Sequence, residues 1–137
     1  MTRFLVSAAV LAFLAAGSGA AQEEPLRTAR ERVILRTTRG DILLALFADL
    51  APKHSVQFLR LVYAGVYDTG HVSRVQRGYY VQFHVIEPLV PLTPAQSRTI
   101  GPIPGEFSKG RSKRGYVMMA RDLSDPNSGM VSFAILT

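Results

Sequence analysis

The sequence of 137 residues is long enough for one domain, and it contains no cysteine that could form a disulfide. Its 16 basic and 10 acidic side chains give a net charge of +6, and most of these charges are scattered along the chain. The one concentration, from Lys109 to Arg114, is interrupted by glycine and serine, as is typical of a solvated loop. Nucleic-acid binding needs a basic face with stacking aromatic side chains, so we expect no nucleic-acid partner.

The N-terminal segment has the layout of a secretory signal peptide. Arg3 supplies a positive charge, an apolar run extends from Phe4 to Ala16, and small residues lead up to Ala21. The pattern predicts a signal peptide over residues 1–21, with cleavage before Gln22. The run is too short for a stop-transfer helix, although an uncleaved N-terminal anchor is the alternative. We therefore expect an exported protein, periplasmic or secreted, with no stable membrane insertion after cleavage.

A polar segment over residues 22–31 is followed by two runs typical of β-strands, residues 32–38 and 42–47. The glycine-containing turn between the runs predicts a hairpin. Because side chains alternate along a strand, Val33, Leu35 and Thr37 should share one face.

One helix and four more strands are predicted after the hairpin. Pro52 fits the first helical turn, apolar residues cluster from Phe58 to Tyr63, and Gly65 suits the C-terminal cap. Residues 87–105 contain five prolines and should form mostly loop, with one helical turn at Pro94. The remaining strands are predicted over residues 72–76, 79–86, 116–120 and 132–136. About six strands and one early helix indicate a mainly β barrel or sandwich.

The order of several short segments is similar to that of a known family, the cyclophilins. Arg39–Ile42 after a strand, Ala51–Lys53 at the start of a helix and Gly65–Asp68 after it resemble the opening of cyclophilins. Ser73–Val75 followed by Gly78–Gln82 resembles the central signature of that family.

The resemblance continues toward the C-terminus. Arg114–Ala120, Asp125–Gly129 and Ser132–Phe133 are similar to the later cyclophilin segments in the same order. The match covers residues 32–137, with an altered connection between Val85 and Phe107. The resemblance therefore implies a partial cyclophilin-like domain over residues 32–137.

The fold implied by the resemblance is an eight-stranded antiparallel β-barrel with a helix at each end. This sequence supplies about six strands and the first capping helix, so we expect the C-terminal strands, the second helix and a loop with further pocket residues to be missing. A barrel removes its sheet edges only when it closes, so such a chain should expose two edges. A fragment of a longer protein is the simpler interpretation.

The activity implied by the resemblance is peptidyl-prolyl cis-trans isomerisation, with proline-containing polypeptides as partners and with no cofactor. Rotation about an X–Pro amide has a barrier of about 18–20 kcal/mol because the C–N bond has partial double-bond character. Catalysis requires an apolar slot for the proline ring and a donor to the prolyl nitrogen. We expect the protein to act as a monomer on other exported proteins.

The resemblance assigns eight positions of this sequence to the site. Arg74 matches the catalytic arginine, and Gln82 matches the glutamine that holds the substrate backbone and orients the arginine. The positions that match substrate-binding residues are Tyr79, Tyr80, Ala120, Arg121, Ser132 and Phe133. For Phe133, a place in the barrel core is an equally good interpretation.

Several positions depart from the family pattern. Ser73, Arg121 and Ser132 replace a histidine, an asparagine and a glutamine, and Ala134 replaces a phenylalanine that forms an apolar wall. These replacements favour a second hypothesis, a weakly active or inactive module that binds proline-containing segments, or a fragment without function of its own. The three histidines lack the spacing of metal ligands, so we expect no metal site.

Overall fold

The computed structural model describes residues 31–85, 90–107 and 112–137, so the predicted signal peptide lies outside the described residues. The elements in chain order are β1 (Arg32–Thr37), β2 (Gly40–Ala45), α1 (Pro52–Tyr63), a 3-10 helix (Tyr67–Thr69), β3 (His71–Gln76), β4 (Tyr80–His84), α2 (Pro94–Thr99), β5 (Val117–Met119) and β6 (Phe133–Leu136). In these three ranges, no helix is both long and apolar enough to span a bilayer.

The predicted hairpin is formed by β1 and β2, which pair antiparallel from Arg32 opposite Ala45 to Thr37 opposite Gly40. Gly40 has a φ of 121°, a backbone conformation that side chains rarely tolerate, and this explains the glycine in the turn. The Thr37 hydroxyl donates a 2.7 Å hydrogen bond to the carbonyl oxygen of Gly40. Val33, Leu35 and Thr37 are the more buried positions of β1, as the alternation predicts.

The other four strands form one antiparallel sheet in the order β3-β4-β6-β5. Successive side chains of a strand point to opposite faces, so Val81 and Phe83 of β4 face the core. Among the described residues, the strands form this sheet and the separate β1-β2 hairpin. The closed barrel that the resemblance implies stays a prediction.

The core lies between the sheet, the hairpin and α1. Leu44, Phe58, Phe83 and Phe133 form one buried cluster, contributed by β2, α1, β4 and β6 respectively. The Phe58 and Phe133 rings meet edge to face at 5.4 Å, and the Phe83 and Phe133 rings stack at 4.9 Å. These contacts fix α1 against one face of the sheet and leave the opposite face accessible.

A second helix is present where the sequence predicts one helical turn. Thr93 caps α2, because its hydroxyl accepts from the backbone N–H of Gln96 while the Gln96 side chain accepts from the backbone N–H of Thr93. The Gln96 amide also donates to the carbonyl oxygens of Ala64 and Gly65, both at 3.1 Å. The capping glutamine therefore also fastens α2 to the C-terminal end of α1.

The N-terminus of α1 is capped by a distant carboxylate and not by its own N-cap residue, Ala51. Glu106 accepts hydrogen bonds from the backbone N–H groups of Lys53, at 3.0 Å, and His54, at 2.9 Å. The Nδ1 atom of His54 lies 2.7 Å from the same carboxylate. Burial raises the pKa of Glu106, but the hydrogen bonds from His54 and Lys53 outweigh it and leave that pKa below its ordinary value.

We expect Glu106→Gln to lower the free energy of unfolding by about 1 kcal/mol at neutral pH, because an amide replaces the anionic cap. Since the folded-state pKa is depressed, the contribution of Glu106 is complete above its unfolded pKa of about 4.3 and disappears as the pH falls through the folded value. Urea unfolding at several pH values tests this. The difference between wild type and variant should shrink at acidic pH, whereas Asp49→Asn, at an exposed position, should have little effect. A constant difference at all pH values would contradict the assignment.

Candidate active site

The two residues matched to the catalytic arginine and glutamine lie directly opposite each other. In the β3–β4 register Val72 pairs with Phe83 and Arg74 pairs with Gln82, which leaves Ser73 as the extra residue of a β-bulge. Without this bulge Ser73 would stand opposite Gln82. The bulge therefore brings Arg74 onto the same face of the sheet as Gln82, the face opposite to the core.

An aromatic side chain on this face orients the arginine. The guanidinium carbon of Arg74 lies 5.7 Å from the centroid of the Tyr80 ring, within the range of a cation–π contact. The Tyr79 ring lies 5.3 Å from the Tyr80 ring, and Tyr79 is 60% exposed. A permanently charged donor thus lies over the Tyr80 ring, which in turn contacts the Tyr79 ring.

The face continues across β6 and β5. Ala134 is the register partner of both Gln82 and Met118, so these three side chains lie side by side. Ala120 follows β5, and its backbone N–H donates to the carbonyl oxygen of Ser132 at 2.8 Å. The small side chain of Ala134 thus lies between Gln82 and Met118, at the position where the resemblance to cyclophilins implies a phenylalanine.

Two of the eight sequence-assigned residues are not brought to this face. Phe133 is 2% exposed and packs against Phe58 and Phe83, so the structure places it in the core, as the alternative interpretation has it. This follows from alternation, because Ala134 takes the accessible position next to it. Arg121 donates to the backbone carbonyl of Asp122 at 2.8 Å and lies over the Phe107 ring, so its guanidinium is engaged within its own loop region.

Sequence reasoning missed a polar contact at the far end of the same face. The Ser132 hydroxyl and Nδ1 of His84 form a hydrogen bond, and Ser132 is only 7% exposed. The position of His84 two residues after Gln82 on one strand was a usable signal, because such residues share a face. The Ser132 hydroxyl, assigned to substrate by the sequence, is thus held by His84.

His54 lies apart from the other two histidines, and His71 and His84 are register partners on β3 and β4. His54 contacts Glu106, His84 contacts Ser132, and the His71 ring meets the His84 ring edge to face at 6.4 Å. Within the described part of the chain, no three histidine, aspartate or glutamate side chains are grouped so that they could hold a metal ion.

The comparison with known families bears on the whole described domain. Residues 32–137 match the model of the family described as cyclophilin type peptidyl-prolyl cis-trans isomerase/CLD. The chain belongs to the cyclophilin family.

This cyclophilin is 34% identical over 140 residues to the Arabidopsis thaliana peptidyl-prolyl cis-trans isomerase CYP23, an alignment covering 99% of the chain and 61% of that protein. It is 35% identical over 135 residues to a probable peptidyl-prolyl cis-trans isomerase of Brucella suis, covering 93% of the chain and 68% of the relative. It therefore spans between about three fifths and two thirds of the length of these two relatives.

A solved structure confirms the fold assignment. A Cryptosporidium parvum cyclophilin type peptidyl-prolyl cis-trans isomerase, crystallised in the presence of the dipeptide Ala-Pro, aligns with a TM-score of 0.60. The alignment covers 77% of this cyclophilin and 67% of the other chain, at 21% sequence identity. The mainly β, antiparallel cyclophilin-like fold predicted from the sequence is thus confirmed.

Proposed function

We propose that this cyclophilin is a peptidyl-prolyl cis-trans isomerase whose substrate lies on the face that carries Arg74, Gln82 and Tyr80. The observation that carries the proposal is the bulged β3–β4 register, which sets Arg74 directly opposite Gln82. The family membership and the names of the two relatives support the same activity. Proline-containing polypeptides are the proposed substrates.

The chemistry follows from the transition state of amide rotation. As the C–N bond twists, conjugation is lost and the lone pair localises on the prolyl nitrogen, which then becomes a good hydrogen-bond acceptor. An Arg74 N–H aimed at that nitrogen binds the twisted state more strongly than the planar one. Gln82 offers an amide donor and acceptor to the substrate backbone at the neighbouring position. No covalent step, proton relay or metal is required for the rotation.

In this proposal the surface formed by Ala134 and Met118 supplies the slot for the proline ring, and the small side chain of Ala134 limits the affinity. We expect Ala134→Phe to raise kcat/KM for an X–Pro peptide about tenfold, mainly by lowering KM, because a ring buries more of the proline. Steady-state kinetics on both proteins measures this. Ala45→Phe, on an exposed position of β2, is the matched control and should leave the kinetics unchanged. An unchanged KM for Ala134→Phe would remove Ala134 from the slot.

The proposed biological role is to speed proline-limited folding of other exported proteins, outside the cytoplasm and as a monomer. The layout of residues 1–21 supports export. Uncatalysed X–Pro isomerisation takes tens of seconds or longer and often limits refolding, so an isomerase is useful where proteins fold after export. Fusing residues 1–21 to a reporter enzyme that is active only outside the cytoplasm tests the export signal. Reporter activity equal to that of a leaderless fusion would contradict it.

The second candidate function is binding without turnover. It is favoured by the absence of a ring at Ala134 and by the engagement of the Ser132 hydroxyl with His84. The isomerase and the binding module are distinguished by measuring the refolding rate of a client protein whose slow phase is limited by X–Pro isomerisation. A substoichiometric amount of an isomerase shortens the slow phase, whereas a binding module leaves its rate constant unchanged or retards it only at stoichiometric amounts.

A further inference from the structure

A groove of about 500 Å³ runs along the outer side of α1, between that helix and the segment from Arg98 to Pro104. We call it the α1 groove. It continues past Arg60 to Tyr63, whose ring is largely exposed. This groove is separate from every residue of the candidate active site.

The sequence of α1 explains why the helix can line a groove on one side and the core on the other. Phe58, Leu59 and Leu61 point into the core, where they are buried. Lys53, Val56 and Arg60 recur at intervals of three and four residues, so they form the opposite, outward stripe of the helix. The outward stripe is thus partly apolar in the middle and basic at both ends.

The floor of the α1 groove is apolar. Val56 from α1 and Ile100 and Ile103 from the following segment line it, together with prolines at positions 52, 102 and 104. The side-chain amide of Gln57 is already hydrogen-bonded within the protein, because it donates to the carbonyl oxygen of Thr99 at 2.7 Å. The floor therefore offers aliphatic contact and few hydrogen-bonding groups.

The rim of the α1 groove is positively charged. Lys53, Arg60 and Arg98 line it, and none of the described residues that line it is acidic. The carboxylate of Glu106 lies close by, but it is occupied by the backbone N–H groups of Lys53 and His54. With the chain's net charge of +6, this rim attracts anionic partners.

The α1 groove lies on the far side of the core from the candidate active site. Phe58 of α1 contacts Phe133 on the inner face of the sheet, whereas Arg74 and Gln82 occupy the outer face. A ligand in the α1 groove therefore leaves the isomerase face open.

We propose that the α1 groove docks a segment of a partner protein that carries aliphatic or aromatic side chains flanked by aspartate and glutamate. The apolar floor takes the hydrophobic side chains, and Lys53 and Arg98 pair with the flanking carboxylates. Single-stranded nucleic acid fits less well, because base stacking needs several aromatic platforms and Tyr63 is the one aromatic side chain among the described residues that line the groove. Such a site would hold a client or tethering protein while the other face acts on proline.

The test uses fluorescence anisotropy with a labelled, proline-free peptide in which leucine and phenylalanine are flanked on both sides by aspartate and glutamate. We expect saturable binding to the wild-type protein that weakens as salt rises. A peptide with lysine in place of the acidic residues should not bind, and neither should one with serine in place of leucine and phenylalanine. The proposal is overturned by no saturable binding up to about 1 mM peptide, or by tighter binding of an oligothymidylate of equal charge.

Substitutions of the rim residues test whether the peptide binds in the α1 groove. The double variant Lys53→Gln/Arg98→Glu should weaken the peptide about tenfold, because two rim charges are lost or reversed. The double variant Arg36→Gln/Arg39→Glu, at exposed positions of the β1–β2 hairpin, makes the same change in charge and should bind like wild type, as should Arg74→Ala. NMR shifts induced by the peptide should centre on Val56 and Ile100. Equal affinity for the double variant, or shifts centred on Arg74 and Gln82, would overturn the proposal while leaving the proposed isomerase activity untouched.

Discussion

Arg74→Ala is expected to lower kcat/KM for an X–Pro peptide by about a hundredfold, because one preorganised charged donor to a developing lone pair is typically worth that factor or more. The loss should appear in kcat, since the lone pair of the prolyl nitrogen localises only in the twisted state. Arg74 is solvent-exposed and lies over Tyr80, so its removal leaves the core intact. The variant should fold as the wild type does, with an unchanged circular dichroism spectrum and unfolding midpoint.

Two further variants make the Arg74 result specific. Arg77→Ala removes an exposed arginine from the turn of the same β3–β4 hairpin and should retain wild-type kinetics. Arg74→Lys keeps the charge but loses the planar fork of donors, so we expect it to lie between wild type and Arg74→Ala. Equal kcat/KM for wild type and Arg74→Ala would remove this arginine from the mechanism.

Phe133→Ala is expected to lower the free energy of unfolding by about 3–5 kcal/mol, the usual cost of deleting a buried phenylalanine ring. Phe133 is 2% exposed and its ring meets those of Phe58, Tyr67 and Phe83, so the cavity would open at the junction of α1 and the sheet. For a domain of this size such a loss is a large part of the whole stability. Urea unfolding followed by circular dichroism measures it.

The matched control for Phe133→Ala is Phe47→Ala, which deletes the same ring from a position that is 57% exposed. Its cost should stay below about 1 kcal/mol, because most of that ring is already in water. If Phe133→Ala unfolded no more easily than Phe47→Ala, the placement of Phe133 in the core would be wrong.

The elements of the fold could be predicted because local signals specify them. Each of these signals lies within a few residues of the element that it specifies. Examples are the alternating apolar residues in β1, Pro52 at the start of α1 and Gly65 beyond its end. The observed strand ends lie within about two residues of those predicted. The 3-10 helix at Tyr67–Thr69 was not anticipated, since so short an element has no periodic pattern.

The site was predictable in part. The motif order predicts Arg74 and Gln82 as the candidate catalytic pair, and the structure sets them opposite each other on β3 and β4. The bulge at Ser73 depends on the pairing of the two strands, so it cannot be predicted from the sequence of one strand. Whether Phe133 or its neighbour Ala134 points away from the core depends on which face of β6 each side chain occupies. That face is set by the register of β6 with β4.

Contacts between residues that are far apart in the sequence cannot be predicted from local sequence patterns. Glu106 caps a helix that begins more than fifty residues earlier, and the bond between His84 and Ser132 joins positions 48 apart. Each depends on how the loops return to the sheet and the helix, so neither Glu106 nor the His84–Ser132 pair was assigned a role from the sequence.

The most direct test of the isomerase assignment is two-dimensional NMR exchange spectroscopy on an X–Pro peptide with a catalytic amount of this cyclophilin. Uncatalysed interconversion is too slow to give cis–trans exchange peaks within a mixing time of about one second. We expect exchange peaks with the wild-type protein and none with Arg74→Ala at the same concentration. Absence of exchange peaks with folded wild-type protein, while the peptide still shifts resonances of Gln82 and Tyr80, would contradict catalysis and favour a binding module.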